Sequence, residues 1–183
     1  MNSRGPRFTL ISRWLHWLMA VMVLGLLFLG IGMAASVSQR YTLLVAIHRP
    51  LGMAVLVLAA IRLVNRLLHP PPPLPDSLPP LQRAAAKGSH VVLYALMFIM
   101  PLLGWGMLSA APYPVVIFGS VQLPPILPQN PLLYVLLRKL HTDCAYLLFG
   151  VFLVHLGAAL LHGMIRRDGV FESMASWGRR SRE

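Results

Sequence analysis

Four long apolar segments constrain this chain more than any other feature. They cover roughly residues 14–34, 46–66, 90–109 and 141–163. A helix needs about 20 mostly apolar residues to cross the hydrocarbon core of a bilayer, and each segment reaches that length. Only 11% of the 183 residues are charged, whereas a soluble domain carries roughly 25%. The sequence therefore predicts an all-α integral membrane four-helix bundle that forms one domain over residues 1–183.

The charged residues predict how the bundle is oriented. If four spans alternate in direction, 12 of the 16 basic residues fall on the side that holds both termini. The positive-inside rule places that side in the cytoplasm. The net charge of +11 then indicates membrane topology and attraction to anionic lipid rather than nucleic-acid binding. The 12 residues are Arg4, Arg7, Arg13, Arg62, Arg66, Arg83, Lys87, Arg166, Arg167, Arg179, Arg180 and Arg182.

Histidines interrupt these apolar segments at matching depths. His141 and His155 in the last segment are 14 residues apart, so on a helix they share a face and lie ~21 Å apart along the axis. His48 lies near the outer end of the second segment, and His16 lies near the inner end of the first. Alternating spans bring His48 level with His141 and His16 level with His155. The spacing thus predicts two facing pairs, one in each leaflet.

Two facing imidazoles restrict the metal chemistry. Zinc takes four protein ligands, or three and a water, and the nearest third candidates are only His90 and Asp143. Proton relays in membranes usually include Asp or Glu, which the spans almost lack. Haem needs two axial ligands, and imidazole suits iron. With one cysteine, Cys144, covalent c-type attachment is excluded. We therefore predict two haem b groups, the inner held by His16 and His155 and the outer by His48 and His141.

Small residues lie on the same stripes at the outer level. Gly30 follows His16 by 14 residues, and Gly104 follows His90 by 14. Glycines at these positions would leave room for a haem where a helix supplies no ligand, although glycine is also common at membrane helix interfaces.

Three more residues have open interpretations at the inner level. Arg62, 14 residues after His48, either pairs with haem propionates or reaches towards the headgroups. His90 either bonds a propionate, lines a substrate pocket or is a plain interfacial histidine. His162 lies seven residues after His155 and is an alternative inner ligand.

The segments between the spans are predicted from their prolines and polar residues. The proline-rich run 69–80 predicts an extended spacer. The uncharged stretch 110–137 is expected to lie over the outer mouth of the bundle, and no strand is predicted. The second helix is predicted to begin near Ala46 with Pro50 in its first turn, and the third near Ser89 as N-cap. The fourth is predicted to begin near residues 138–141.

Several motifs together resemble the bacterial cytochrome b561 family, in its short four-helix form. They cover nearly the whole chain, and their combination is more specific than any one of them. They are RWLHWLMA (13–20), AIHRPLGM (46–53), IRLVNRLLHPPPPLP (61–75), AAKGSHVVLYALMFIMPLLGW (85–105), FG (118–119) and LHTDCAYLLFGVFLVHLGAALLHGMIRRDG (140–169).

The resemblance implies two b haems with the same histidine pairs, a place in the bacterial inner membrane, and electron transfer to or from ubiquinone or a similar quinone. One branch of that family passes electrons from superoxide to ubiquinone. Here Thr142 follows His141 where related chains often carry an acid, and the acid is Asp143. The one-electron donor therefore stays unidentified.

Two alternative functions remain at this stage. The chain could be the cytochrome b subunit of a larger dehydrogenase or reductase, or a transporter or anchor without haem. The sequence also leaves open whether it pairs with a second copy or with a partner subunit.

Overall fold

The computed structural model describes residues 7–37, 39–75 and 77–175. Among these residues, four helices are long and apolar enough to cross a membrane, as the predicted fold class requires. They are α1 (Leu10–Ala34), α2 (Gln39–Leu68), α3 (Pro80–Ala110) and α4 (Pro131–Leu160). A π-helical turn, Leu161–Arg166, continues α4, and a short helix α5 (Val170–Ala175) follows. The predicted basic side chains of Arg4, Arg179, Arg180 and Arg182 lie outside the described residues.

The helices form an antiparallel bundle with two distinct ends. Helix α1 packs on α2, α2 on α3, and α3 on α4. We call the end that holds the start of α1 and the C-terminal helix α5 the tail end. The opposite end carries the α1–α2 connection and a β-hairpin, and we call it the hairpin end.

The helices begin earlier than the predicted spans because polar first turns are helical too. Helix α2 starts at Gln39, so Pro50 lies inside the helix and not in its first turn. Helix α3 starts at Pro80, where a proline is favourable at the first helical position. The prediction of Ser89 as N-cap is therefore wrong, and its hydroxyl donates instead to the carbonyl of Ala86 at 2.9 Å.

Helix α4 begins at Pro131, several residues before its predicted start. The side chain of Asn130 caps it by accepting a hydrogen bond from the backbone N–H of Leu133 at 3.0 Å. An asparagine cap followed by proline is a favourable helix start, although every residue from 131 to 137 had been assigned to the outer connection.

A two-stranded hairpin interrupts the α3–α4 connection, where no strand was predicted. Strand β1 (Val115–Ile117) pairs antiparallel with β2 (Val121–Leu123), with Val115 opposite Leu123. Phe118 and Gly119 make the turn with φ of 52° and 75°, a conformation in which glycine has no steric cost. Three-residue strands lack the length from which alternation can be recognised.

The α3–α4 connection lies against the bundle, as its apolar composition predicts. Val115 is buried, and β1 contacts α2 and α3. The indole N–H of Trp105 donates to the carbonyl of Pro124 at 3.0 Å. Ser109 accepts from the backbone N–H of Ile126 at 3.2 Å. These contacts hold the hairpin over its end of the bundle.

The surface of the bundle is apolar and its core is small. Side chains on the outside include Val21, Phe28 and Val154, which are 69%, 64% and 69% exposed. A soluble protein rarely exposes apolar surface on this scale, whereas lipid accommodates it without cost. The buried core cluster consists of Met19, Val23, Val55, Ala59, Leu96 and Leu148.

Candidate functional site

Three imidazoles meet near the tail end of the bundle. His16 comes from the start of α1 and His155 from the last part of α4, and their ring centroids are 6.1 Å apart at an interplanar angle of 66°. The ring of His90 from α3 also lies beside His155, with ring centroids 5.5 Å apart at an interplanar angle of 71°. Of the three, His16 and His155 are the pair that the sequence predicts to face each other, and His90 is placed at the same level.

A second pair of imidazoles lies near the hairpin end. The rings of His48 in α2 and His141 in α4 have centroids 6.2 Å apart at an angle of 66°. Their Nδ1 atoms are buried, and neither makes a hydrogen bond of good geometry, although the backbone carbonyl of Met100 lies near the ring of His141. A buried polar atom without a partner is costly. These two atoms therefore suggest that something other than the described side chains completes this site.

The spacing of both pairs is the spacing that two imidazoles would have if they shared one metal ion. If two imidazoles bind one metal from opposite sides, the separation of their ring centroids is the sum of two metal–nitrogen bonds of about 2 Å and two nitrogen-to-centroid distances. This sum is roughly 6.3 Å. The observed separations are 6.1 and 6.2 Å. The described residues contain no group of three or more His, Cys, Asp or Glu side chains that could hold a metal ion. Each pair therefore offers two imidazole nitrogens, which suits a cofactor that needs two axial ligands.

Gly104 and Gly30 differ in their surroundings. A Cβ added at Gly104 would lie 3.4 Å from Cε1 of His141 and 3.7 Å from its Nδ1, so α3 approaches the edge of this ring closely. A Cβ added at Gly30 would meet nothing within 4 Å. Gly104 therefore borders the His48–His141 pair, and Gly30 leaves open space on α1.

Arg62 lies between three helices at the tail end. Its Nε donates to the hydroxyl of Tyr94 at 3.0 Å, and its Nη1 donates to the backbone carbonyl of Ser12 at 3.4 Å. The guanidinium of Arg66 lies over the ring of Tyr94, 5.7 Å from its centroid. Sequence reasoning missed Tyr94, although its position four residues after His90 puts it on the same helix face.

The structure gives His162 another partner. Its Nδ1 lies 2.6 Å from Oδ2 of Asp168, and both side chains are mostly buried. The prediction that His162 shares a helix face with His155 requires a regular α-helix. The chain instead forms a π-helical turn from Leu161, which changes the direction of the residues that follow. The ring of His16 contacts the rings of Trp17 and His155. The structure therefore does not bring His162 to His16.

The remaining candidates lie away from both pairs. Asp143 forms an exposed ion pair with Lys139 at 2.8 Å. Cys144 is half-buried and packs against the core cluster. His69 is exposed in the connection after α2, with its Nδ1 3.3 Å from the carbonyl oxygen of Asn65.

Comparison with known proteins supports the resemblance seen in the motifs. The family model described as prokaryotic cytochrome b561 matches residues 7–177. The chain is 30% identical over 171 residues to cytochrome b561 homolog 2 of Escherichia coli (strain K12), covering 92% of this chain and 90% of that protein. It is 27% identical over 176 residues to cytochrome b561 homolog 1 of the same organism, with coverage of 92% and 96%. It is 26% identical over 169 residues to the probable superoxide oxidase CybB of Yersinia pestis, with coverage of 92% and 95%.

Proposed function

The chain belongs to the prokaryotic cytochrome b561 family, and from this premise we propose that it is a two-haem cytochrome of the bacterial inner membrane. It moves single electrons between a one-electron donor and a quinone. Family membership implies b-type haem, a multi-pass membrane protein and lipid contact. The number of haems, their ligands and the redox partners are our proposal.

One observation carries the proposal: two imidazole pairs at the spacing of axial ligands, at two depths. His16 and His155 would hold one haem iron, and His48 and His141 the other. The two ligands on α4 are 14 residues apart, which separates the sites by ~21 Å along the helix. When bound, haem supplies the one-electron chemistry. The polypeptide supplies axial ligands, burial and nearby charges, which set the reduction potentials.

Other side chains near the pairs have supporting roles in this proposal. Arg62 lies where a planar guanidinium could hold propionates of the tail-end haem, and Tyr94 fixes its orientation at 3.0 Å. His90, 5.5 Å from His155, borders that site without being one of its two ligands. Gly104 and Gly30 leave space for the porphyrin at the hairpin end.

We place the tail end in the cytoplasm. It carries the predicted basic excess, including Arg62, Arg66 and Arg83, which the positive-inside rule assigns to that side. Both termini would then be cytoplasmic, and the His48–His141 site would lie in the outer leaflet.

The tail end also offers an approach for a quinone. An apolar groove of about 290 Å³ runs between the end of α4 and α5. It begins at Ala159, one helical turn after His155, and its lining includes Phe171 and the carboxylate of Glu172. A flat, uncharged quinone headgroup suits such a lining better than a charged substrate does. Because the Yersinia pestis relative is named a probable superoxide oxidase, superoxide is the first donor to test.

The ligand assignment is tested by counting haems. In the membrane-purified protein, His48→Ala and His155→Ala are each expected to reduce two haems per chain to one, measured as pyridine haemochrome. Each variant should retain a different α band. His69→Ala is the matched control, because His69 is exposed in a connecting segment, and it should retain both haems. Two haems in either ligand variant would contradict the assignment.

The redox partners are tested separately by stopped-flow reduction and oxidation. The wild-type protein is mixed with superoxide, with ascorbate or with a quinol. Fast reduction by one donor, followed by oxidation by ubiquinone, supports the proposed direction of electron flow. A protein that exchanges electrons with no quinone would contradict the quinone role while leaving the haem assignment intact.

A further inference from the structure

Two arginines converge on one small cleft at the tail end. Arg62 and Arg66 lie four residues apart on α2 and therefore share a helix face. The cleft between α1, α2 and α3 is lined by Phe8, Ser12, Arg62, Asn65, Arg66, His69 and Tyr94. Its volume is only about 10 Å³, so an anionic group would rest at its opening and not inside it. It shares no lining residue with the groove beside α5.

The protein groups around these arginines orient them without neutralising them. Arg62 donates to a phenol and to a backbone carbonyl, and Arg66 lies over the face of the same Tyr94 ring. Asn65 donates from its amide to the hydroxyl of Ser12 at 2.7 Å, which ties α2 to α1 beside the cleft. All of these partners are neutral, so two like charges remain on adjacent turns.

The acidic residues that the structure describes lie outside the cleft. Asp143 pairs with Lys139, Asp168 pairs with His162, and Glu172 lines the groove beside α5. No carboxylate lines the cleft among the described residues. Half-buried cations on neighbouring turns repel each other and favour an anion that binds between them.

The surroundings of the cleft favour an amphiphilic anion over a free one. Leu67 and Leu68 on the same turn of α2 are 73% and 70% exposed. Apolar side chains beside paired guanidiniums match a lipid, whose phosphate meets the charges while its acyl chains lie along the helix. Guanidiniums bind phosphate oxygens through two parallel hydrogen bonds, with Asn65 and Tyr94 available as neutral partners.

We propose that this cleft is a specific site for an anionic phospholipid of the inner leaflet, with Arg66 as its main phosphate ligand. Arg66 lies one helical turn nearer the tail end of α2 than Arg62, and no carboxylate lines the cleft among the described residues, so Arg66 can bind the phosphate whether or not Arg62 also holds a haem propionate. The lipid would link α1, α2 and α3 at their tail ends. This inference does not depend on the redox partners of the protein.

The test is retention of lipid by the full-length, haem-loaded protein in native mass spectrometry. The probes are phosphatidylglycerol and phosphatidylcholine with matched acyl chains. Wild-type protein should retain phosphatidylglycerol in preference. Arg66→Gln should reduce that retention about fivefold, the expected contribution of one basic side chain, and Arg66→Lys should recover part of it. Haem content should be unchanged in both variants.

The matched control is Arg166→Gln, because Arg166 is an exposed arginine of the same end, bonded to Gln82 at 2.7 Å. It should retain phosphatidylglycerol as the wild type does. If Arg166→Gln loses as much phosphatidylglycerol as Arg66→Gln does, lipid retention depends on general surface charge, and the proposal is overturned. Equal retention of phosphatidylcholine would overturn it too. Displacement of the lipid by 10-fold excess inorganic phosphate would reassign the site to a free anion, and loss of haem in Arg66→Gln would reassign it to propionates.

Discussion

The two histidine pairs are nearly identical in geometry and differ in what surrounds them. The ring centroids are 6.1 Å apart at the tail end and 6.2 Å apart at the hairpin end, and both interplanar angles are 66°. At the tail end, His90 adds a third imidazole and Arg62 lies between the helices. At the hairpin end, helix α3 places Gly104 and the backbone carbonyl of Met100 beside the ring of His141 and adds no charged or aromatic side chain against that ring.

In the proposed function, α3 supplies no axial ligand and acts through the residues that it places beside the pairs, together with Arg62 of α2. The pairs use α1, α2 and α4, whereas α3 supplies an imidazole and a phenol at one end and a bare backbone at the other. Positive charge near a haem favours its reduced form, because oxidation adds a charge to the iron. We therefore expect the proposed tail-end haem to have the higher potential, which would draw electrons from the hairpin end towards the quinone groove.

The largest expected effect is on haem content at the tail end. It distinguishes His16 from His90 as the partner of His155. His16→Ala should eliminate the tail-end haem, because it removes an axial ligand. His90→Ala should retain both haems and change only the potential of one, because the ring at 5.5 Å borders the site. Pyridine haemochrome counts the haems, and a redox titration of the α bands measures the potentials.

The reverse result would change the ligand assignment at the tail-end site. If His90→Ala loses a haem while His16→Ala retains two, α3 and not α1 supplies the ligand opposite His155. His69→Ala serves as the control for replacing a histidine outside the pairs.

The second prediction concerns the close approach of α3 at the hairpin end. Gly104→Val should displace the ring of His141, because a Cβ at this position already lies 3.4 Å from Cε1 and valine adds two methyl groups. About half of the hairpin-end haem or more should be lost, a strain of roughly 1–3 kcal/mol. Difference spectroscopy measures the loss of that α band, and the tail-end band should be unchanged.

Gly150→Val is the control for this substitution. Gly150 lies on the exposed face of α4, and an added Cβ would meet nothing within 4 Å. Equal haem loss in the two variants would show that valine disturbs the helices in general, and the contact with His141 would then have no special role.

The sequence predicted the fold class because a membrane span has a long and strong signal. It also placed His16 with His155 and His48 with His141, since fixed helical rise and alternating direction determine depth. The surroundings of the pairs were harder to predict. The contacts of Arg62 and Tyr94 depend on how α2 and α3 rotate against each other, which spacing within one helix does not determine.

The irregular segments show where periodic reasoning fails. The seven-residue interval from His155 to His162 implied a shared stripe, but a π-helical turn from Leu161 and the contact with Asp168 redirect the second histidine. The hairpin Val115–Leu123 is held by its contacts with the bundle. The first feature departs from regular helical spacing, and the second consists of strands of only three residues, so neither follows from a periodic pattern.

The smallest expected effect concerns the two tryptophan hydrogen bonds that each hold a segment against one end of the bundle. Trp17 donates from its indole N–H to the carbonyl of Met174 at 3.3 Å and so holds α5. Trp105 donates to the carbonyl of Pro124 at 3.0 Å and so holds the segment after the hairpin. Replacing either tryptophan by phenylalanine removes one hydrogen bond of about 1 kcal/mol. Trp17→Phe should therefore accelerate amide exchange in α5 about fivefold and leave the hairpin unchanged, because local opening follows local stability.

Trp105→Phe should have the opposite pattern, with faster exchange in residues 115–126 and no change in α5. Hydrogen–deuterium exchange with mass spectrometry resolves the two segments in one experiment, and each variant is the control for the other. If both variants loosen both ends, the closures are coupled through the bundle rather than local. In that case the environments of the two histidine pairs could not be altered independently, and the separation of ligands from tuning residues would fail for this protein.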